Sequence, residues 1–323
     1  MLKPLFQLLS PSGDRGRLSI LIFHRVLPQV DPLFPDELHV ERFDTLCQWL
    51  KAWFNVLPLD LAVRQLRSRT LPSRALAITF DDGYADNHDI AMTVLRKHGL
   101  SATFFVATGF LDGGRMWNDT VIESIRHTKL RELDLSPLGV SGLRPVVPLD
   151  GVEARRSAID HLISCLKYLP IDRRLALTQQ VAQLANVEPP SDLMMRADQV
   201  RGLLGGGMQV GAHTVSHPIL STLDDASARR EIVEGKERLQ EILGQSVTLF
   251  AYPNGKPVED YSRRSRDIVA DLGFEAAVST AWGAAGSETD CFQIPRFTPW
   301  DRSRWRFGLR LASNLLVSRP TEL

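Results

Sequence analysis

The stretch LAITFDDGYADNHDIAMTVLRKHGLSATFFVA, residues 76–107, holds a complete strand–helix–strand unit. Leu76–Phe80 and Ala102–Ala107 are short runs of β-branched and aromatic residues, the composition of buried strands. Between them Ile90, Val94 and Leu95 recur at helical spacing, and Gly99 stands where a left-handed C-terminal cap is expected. The same alternation extends in both directions. Leu18–Phe23, Phe54–Leu57, Met208–Ala212, Val247–Tyr252 and Glu275–Ser279 read as further strands. Ile232, Leu239, Ile242 and Leu243, and then Ile268, Val269 and Leu272, mark helices that end at Gly244 and Gly273. Strand, helix, glycine, strand is the rhythm of a parallel α/β protein. A barrel and a doubly wound sheet both accommodate about seven such strands.

Residues from about Asp119 to Met195 break the rhythm. They carry helical patterns at Val121–His127, Ala158–Leu169 and Arg173–Leu184, with prolines at 145, 148, 189 and 190 and little strand character. A helical insertion over 119–195 is expected, either as a cap near a site or as ordinary packing helices. The resulting division is an N-terminal segment over 1–17, the main domain over 18–300, and a basic amphipathic helix and tail over 301–323. From Arg296 onward six arginines face Asp301 and Glu322, with Trp305, Leu309, Leu315 and Leu316 forming an apolar stripe. Such a helix could rest on an anionic membrane surface or pack its stripe on the core.

Composition narrows the classes. The 323 residues carry 38 basic and 38 acidic side chains, 44% apolar and 24% charged, which suits a folded globular chain and argues against a nucleic-acid-binding polycation. No run approaches the roughly 18 apolar residues of a membrane span. The N-terminal LFQLL is too short for a secretory core and no A-x-A-like site follows, so a cytoplasmic location, possible at the inner face of a membrane, is the expectation. Cys47, Cys165 and Cys291 are odd in number and far apart, which fits free thiols.

The chemistry concentrates at predicted strand ends. Asp81 and Asp82 follow LAITF directly, and Gly83 permits a sharp turn that presents both acids. Paired carboxylates repel unless a cation or a proton relieves them. A turn that solvates its own acids is the competing explanation. His213 and His217 follow MQVGA at a spacing that, on a helical turn, would set both imidazoles on one face for a single metal ion. One carboxylate and two histidines with open positions compose a hydrolytic metal site, with Zn²⁺ the default occupant. Trp117 and Asp119 open the insertion and could hold a sugar ring, or else a buried tryptophan and a helix cap.

These segments resemble the polysaccharide deacetylases, metal-dependent carbohydrate esterases whose signatures T-F-D-D-G and H-[ST]-x-x-H stand here as Thr79–Gly83 and His213–His217. Phe250–Gly255 (FAYPNG) is similar to the F-A-Y-P-Y-G block of one branch, and Phe23-His24-Arg25-Val26 to its early Y-H-x-[VI] segment. The resemblance implies a distorted (β/α) barrel that removes N-acetyl groups from an amino-sugar glycan or glycan precursor, releasing acetate. It implies Asp81 as general base, and Asp82, His213 and His217 as ligands of Zn²⁺ or of Co²⁺, Ni²⁺ or Mn²⁺. Tyr252, Pro253 and Asn254 would face the substrate, the backbone N–H of Asn254 stabilising the oxyanion. Ala251 stands where many members place an arginine beside the base, so Arg296 is the candidate replacement. No histidine follows His217, so His24 is the candidate general acid. A glycan-binding module without catalysis, or a hydrolase of a small non-sugar amide, are the alternatives. Sugar identity and oligomeric state are left open.

Overall fold

The computed structural model describes residues 2–298, 300–317 and 323. The chain folds as two compact units. Met1–Gln29, Leu38–Asp112 and Met195–Leu323 form the larger; Val30–Glu37 and Gly113–Met194 form the smaller. In chain order the strands are β1 (Leu18–Phe23), β2 (Asn55–Val56), β3 (Ala75–Phe80), β4 (Thr103–Val106), β5 (Glu132–Asp134), β6 (Val146–Pro148), β7 (Gln209–Ala212), β8 (Leu249–Ala251) and β9 (Ala276–Val278). The helices are α1 (Leu2–Leu9), α2 (Val40–Trp53), α3 (Leu59–Arg67), α4 (Met92–His98), α5 (Trp117–His127), α6 (Val152–Leu166), α7 (Ile171–Leu184), α8 (Ala197–Gly205), α9 (Asp225–Leu243), α10 (Arg263–Asp271) and α11 (Arg304–Leu316).

The larger unit is a parallel sheet in the order β1-β3-β4-β7-β8-β9, with β2 also paired to β3. All seven of its strands fall where the sequence places them. β1 and β3 are buried at every position and apolar at all but Ser19 and Thr79, as suits parallel strands covered on both faces. They run in register from Leu18 opposite Ala75 to Phe23 opposite Phe80. β1 occupies one edge of β3 throughout, so β2 and β4 share the other edge, β2 at its start and β4 at its end. The rings of Phe23, Phe80 and Phe104 stack across three strands at 5.2 and 4.9 Å between centroids.

Alternation along β3 sorts its side chains. Leu76, Ile78 and Phe80 join the core beneath the surrounding helices. Ala75 and Ala77 belong to a second cluster with Leu18, Ile20, Phe105, Leu249, Ala251 and Val278 on the inner face. Past β9 the chain completes the curl. Ile294 bridges Val278 of β9, and Phe297 bridges Leu21 of β1, so the segment 294–297 lies between the last strand and the first. The architecture is a distorted (β/α) barrel. Helices α4 and α9 end on Gly99 and Gly244 in the left-handed conformation, and Gly273 adopts it one residue past the cap of α10.

The smaller unit has its own core, with Val121 and Ile125 of α5, Ile159 and Leu162 of α6, and Leu177 and Val181 of α7 packed around Leu33. Arg126 pairs with Asp31 through two hydrogen bonds of 2.9 and 2.7 Å, tying the segment Val30–Glu37 into it. Three helices lie at the patterned positions. The antiparallel pair β5–β6 is an addition that the pattern does not reveal: each strand has three residues and only the middle one, Leu133 or Val147, turns inward. No helix among the described residues is long and apolar enough to cross a membrane. Of the predicted C-terminal tail, positions 318–322 lie outside the described residues.

Candidate active site

The two-residue period that places Ala75, Ala77 and Thr79 on the inner face of β3 continues to Asp81. Its N–H donates to Phe23 O at 2.9 Å and prolongs the ladder by one residue. At Asp82 the chain turns with φ +77°, followed by Gly83 at +94°. A Cβ on Gly83 would stand 3.0 Å from Val106 Cγ1, so both conformation and space select glycine. Both carboxylates therefore sit at the carboxyl end of β3, and both are buried.

The histidine pair follows β7 and bends inward without a helix, correcting the helical-turn reading of its spacing. Thr214 at φ +66° and His217 at φ +54° coil the segment tightly enough to bring the imidazoles together, their centroids 4.8 Å apart. Two supports hold this coil. Thr214 Oγ1 accepts a hydrogen bond from His217 N at 3.1 Å. Glu231 of α9 accepts from Val215 N at 3.0 Å, Ser216 N at 2.8 Å and Ser216 Oγ at 2.6 Å. Gly235, one turn further along α9, lets the helix approach: a Cβ there would lie 2.8 Å from the Thr214 carbonyl carbon. Glu231 and Gly235 escape sequence reading, because an acid and a glycine in a polar helix look like solvated positions.

His213 Nδ1 lies 2.8 Å from the carbonyl of Ala251, which accepts the ring N–H, so Nε2 is the nitrogen that faces Asp82. His213 Nε2 and His217 Nε2 stand 3.5 and 3.4 Å from Asp82 Oδ1. One ligand atom from each residue lies within 4.8 Å of the others. Asp82 Oδ1 is buried and has no hydrogen-bond partner among the described residues, a costly state for a carboxylate oxygen that a cation would relieve. The residues fit a divalent ion: one carboxylate and two neutral imidazoles make a borderline donor set suited to zinc and its neighbours.

Charges at the site are strongly coupled. Burial opposes ionisation of Asp82, but the imidazoles of His213, His217 and His24 outweigh it and hold its carboxyl far below the ordinary range. Burial lowers the His217 pKa to about 4. Burial also disfavours a charged His213, yet Asp82 and Asp81 more than compensate, so its pKa lies above the ordinary imidazole value. His24, exposed just beyond β1, acts on Asp81, Asp82 and His217 through its charge.

Arg296 sits in the segment that joins β9 to β1, its side chain fully buried. Nη1 donates to Asp81 Oδ1 and Nη2 to Asp81 Oδ2, both at 2.7 Å, in a bidentate pair. Further bonds to Ser279 O at 2.9 Å and Thr79 Oγ1 at 3.2 Å fix the guanidinium plane. Desolvation works against a charged Asp81, and Arg296 with His213 and His24 overrides it, keeping the carboxyl below its usual range. The His24 segment is anchored in turn. Asp86 accepts from Arg25 Nε at 2.8 Å and Val26 N at 3.1 Å, and Asn87 Nδ2 donates to His24 O at 2.8 Å.

The remaining candidates separate. Asn254 takes φ +57° and its N–H meets no acceptor among the described residues, while its carbonyl accepts from Thr280 Oγ1 at 2.9 Å. Pro253 is buried. Tyr252 is buried completely, its ring stacked 3.9 Å from Tyr261 and its hydroxyl donating to Phe292 O, so its side chain packs the core and is no substrate contact. Trp117 and Asp119 belong to the smaller unit. Trp117 is half-buried with Arg174 over one face of its ring at 4.8 Å, and Asp119 is buried.

Acids and imidazoles gathered at the carboxyl ends of barrel strands suit metal-assisted hydrolysis, and comparison with known proteins gives the family. The family model described as polysaccharide deacetylase matches residues 68–131 and 160–277, and the chain belongs to that family. A Bacillus subtilis (strain 168) relative named "Putative polysaccharide deacetylase YxkH" is 19% identical over 283 residues, covering 87% of this chain and 71% of its own length. Among solved structures, IcaB from Ammonifex degensii aligns with a TM-score of 0.59 at 18% identity, covering 95% of this chain and 98% of that one. The Streptococcus pyogenes deacetylase PplD, solved with acetate, aligns at 0.57 and 19% identity, covering 87% and 92%. At these identities the structural likenesses speak for the fold.

Proposed function

We propose that this chain is a metal-dependent N-deacetylase that hydrolyses the acetamide of an amino-sugar glycan or glycan precursor to acetate and a free amine. The observation that carries the reading is the buried, partnerless Asp82 oxygen facing two imidazole nitrogens, beside a second aspartate clamped by an arginine. A divalent ion held by Asp82, His213 and His217 would polarise the acetamide carbonyl and make nearby water acidic enough for a weak base to deprotonate.

The chain's own groups account for the rest. Asp81 stays ionised because Arg296 outweighs its burial, and it takes the proton of the attacking water. The bidentate clamp fixes which way that carboxylate points. Water oxygen bonds to the carbonyl carbon, and the negative charge gathering on the carbonyl oxygen meets the Asn254 N–H. When the C–N bond breaks, the leaving nitrogen needs a proton. His24, exposed beyond β1 and anchored through Asp86 and Asn87, supplies it. The products are acetate and an amine, which protonates in water, so each turnover adds a positive charge to a neutral sugar.

The test is acetate and amine release from soluble N-acetylglucosamine oligomers by the Zn²⁺- or Co²⁺-loaded chain. Turnover should be abolished by Asp81→Asn with the ion still bound, and His24→Ala should lower kcat while sparing metal affinity. A loaded chain that binds the oligomers without releasing acetate would be a binding module. Release from simple amides but from no acetylated sugar would make it a hydrolase of another substrate class.

A further inference from the structure

Helix α11 has two apolar faces, and only one is used by the core. Phe307, Leu311 and Leu315 are buried, Phe307 lying near the rings of Trp49, Trp53 and Phe297. Trp305, Leu309 and Leu316 are 57%, 57% and 65% exposed. At about 100° per residue these three fall within an arc of about 40°, a continuous outward stripe. Of the 14 exposed large hydrophobic side chains among the described residues, four lie between Trp300 and Leu316, far more than a stretch of this length would hold by even scatter. Leu315, at the edge of the stripe seen in the sequence, is thus the member that packs inward.

The surroundings of the stripe are basic. Arg302, Arg304 and Arg306 are exposed, and Arg310 stacks over the Trp300 ring at 5.4 Å. Arg304 lies over the Trp53 ring at 5.3 Å. The one acid from Trp300 to Val317 is Asp301, which is buried and paired with Arg310 and Arg306. A second copy of the chain would bring the same arginines against these and repel them across a self-complementary contact. An anionic lipid surface answers both features: phosphates meet the guanidinium groups, while tryptophan and leucine side chains enter the boundary between headgroups and acyl chains.

We infer that the outer face of α11, with Trp300 beside it, docks the chain on an anionic lipid bilayer. This inference is independent of how the barrel site is read. The test is co-sedimentation of the full chain with vesicles of phosphatidylcholine alone or mixed with phosphatidylglycerol. Association is expected with the mixed vesicles, about tenfold weaker with phosphatidylcholine alone, and weaker as salt rises. The Trp305→Glu/Leu309→Glu variant should lose it while keeping the wild-type melting temperature and acetate release from soluble oligomers. Arg302→Gln/Arg306→Gln should bind more weakly and with less dependence on salt. No sedimentation with the anionic vesicles would overturn the proposal. So would binding that survives Trp305→Glu/Leu309→Glu, which would mean attraction to any polyanion, or a dimer that this variant dissolves in the absence of vesicles.

Discussion

At the scale of single residues, four of the nine non-glycine residues with positive φ among those described lie at the candidate site. Asp82, Thr214, His217 and Asn254 all take positive φ, a conformation costing roughly 1–3 kcal/mol for a side chain other than glycine. Such residues persist only where neighbours over-determine them, and Glu231 is the neighbour that does so for the histidine coil. Its carboxylate satisfies two backbone N–H groups and one hydroxyl between the two imidazoles. Glu231→Ala should therefore weaken divalent-ion binding by roughly 10- to 100-fold, the range usual for groups that orient metal ligands. Chelator competition with Co²⁺ would measure it, and the Co²⁺ absorption spectrum would report altered ligand geometry. Glu231→Gln keeps one acceptor oxygen and should recover part of the loss. An unchanged affinity in folded Glu231→Ala would contradict this role.

At the scale of elements, the decisive piece is the short segment 294–297 that spans the gap between β9 and β1. It completes the barrel and brings Arg296 to Asp81 in the same four residues. Removing the guanidinium would strand a buried carboxylate, so Arg296→Met should destabilise the fold by about 3–5 kcal/mol in urea titration. Asp81→Asn in the same chain should restore part of it. Asp81 has a depressed pKa, so its contribution to stability is present above the ordinary aspartate value and lost as pH falls through the lower folded one. Equal stability of wild type and Arg296→Met near neutral pH would sink this account. The strands, the aspartate doublet and the histidine pair were legible because each motif directly follows an apolar run, and strand ends define one face of a barrel. The geometry of the histidines was not, since a spacing of four suggests a helix when the positive φ of Thr214 is unseen. Glu231, Gly235, and the hold of Asp86 and Asn87 on the His24 segment depend on contacts between distant positions that carry no local pattern. Tyr252 belongs to a recognisable block, yet only packing reveals that its ring faces Tyr261.

At the scale of the molecule, one sheet gathers side chains from positions 81 to 296 at the ends of its strands. The central claim is that three of them, Asp82, His213 and His217, hold one divalent ion. Their protonation states fix how binding must depend on pH. Asp82 is already charged and His217 already neutral near pH 7, whereas His213 is held above its ordinary value, so a proton competes with the ion for its ring nitrogen over a higher pH range than for an ordinary imidazole. Affinity should therefore fall as pH is lowered through the His213 titration. The most direct measurement is calorimetric titration of Zn²⁺ into the chelator-stripped chain, in buffers of different ionisation enthalpy. One ion should bind per chain, with protons released to the buffer at pH values where His213 is still protonated, and Asp82→Ala or His217→Ala should weaken binding by at least about 100-fold. Binding that is absent, non-stoichiometric or indifferent to those two substitutions would contradict the claim.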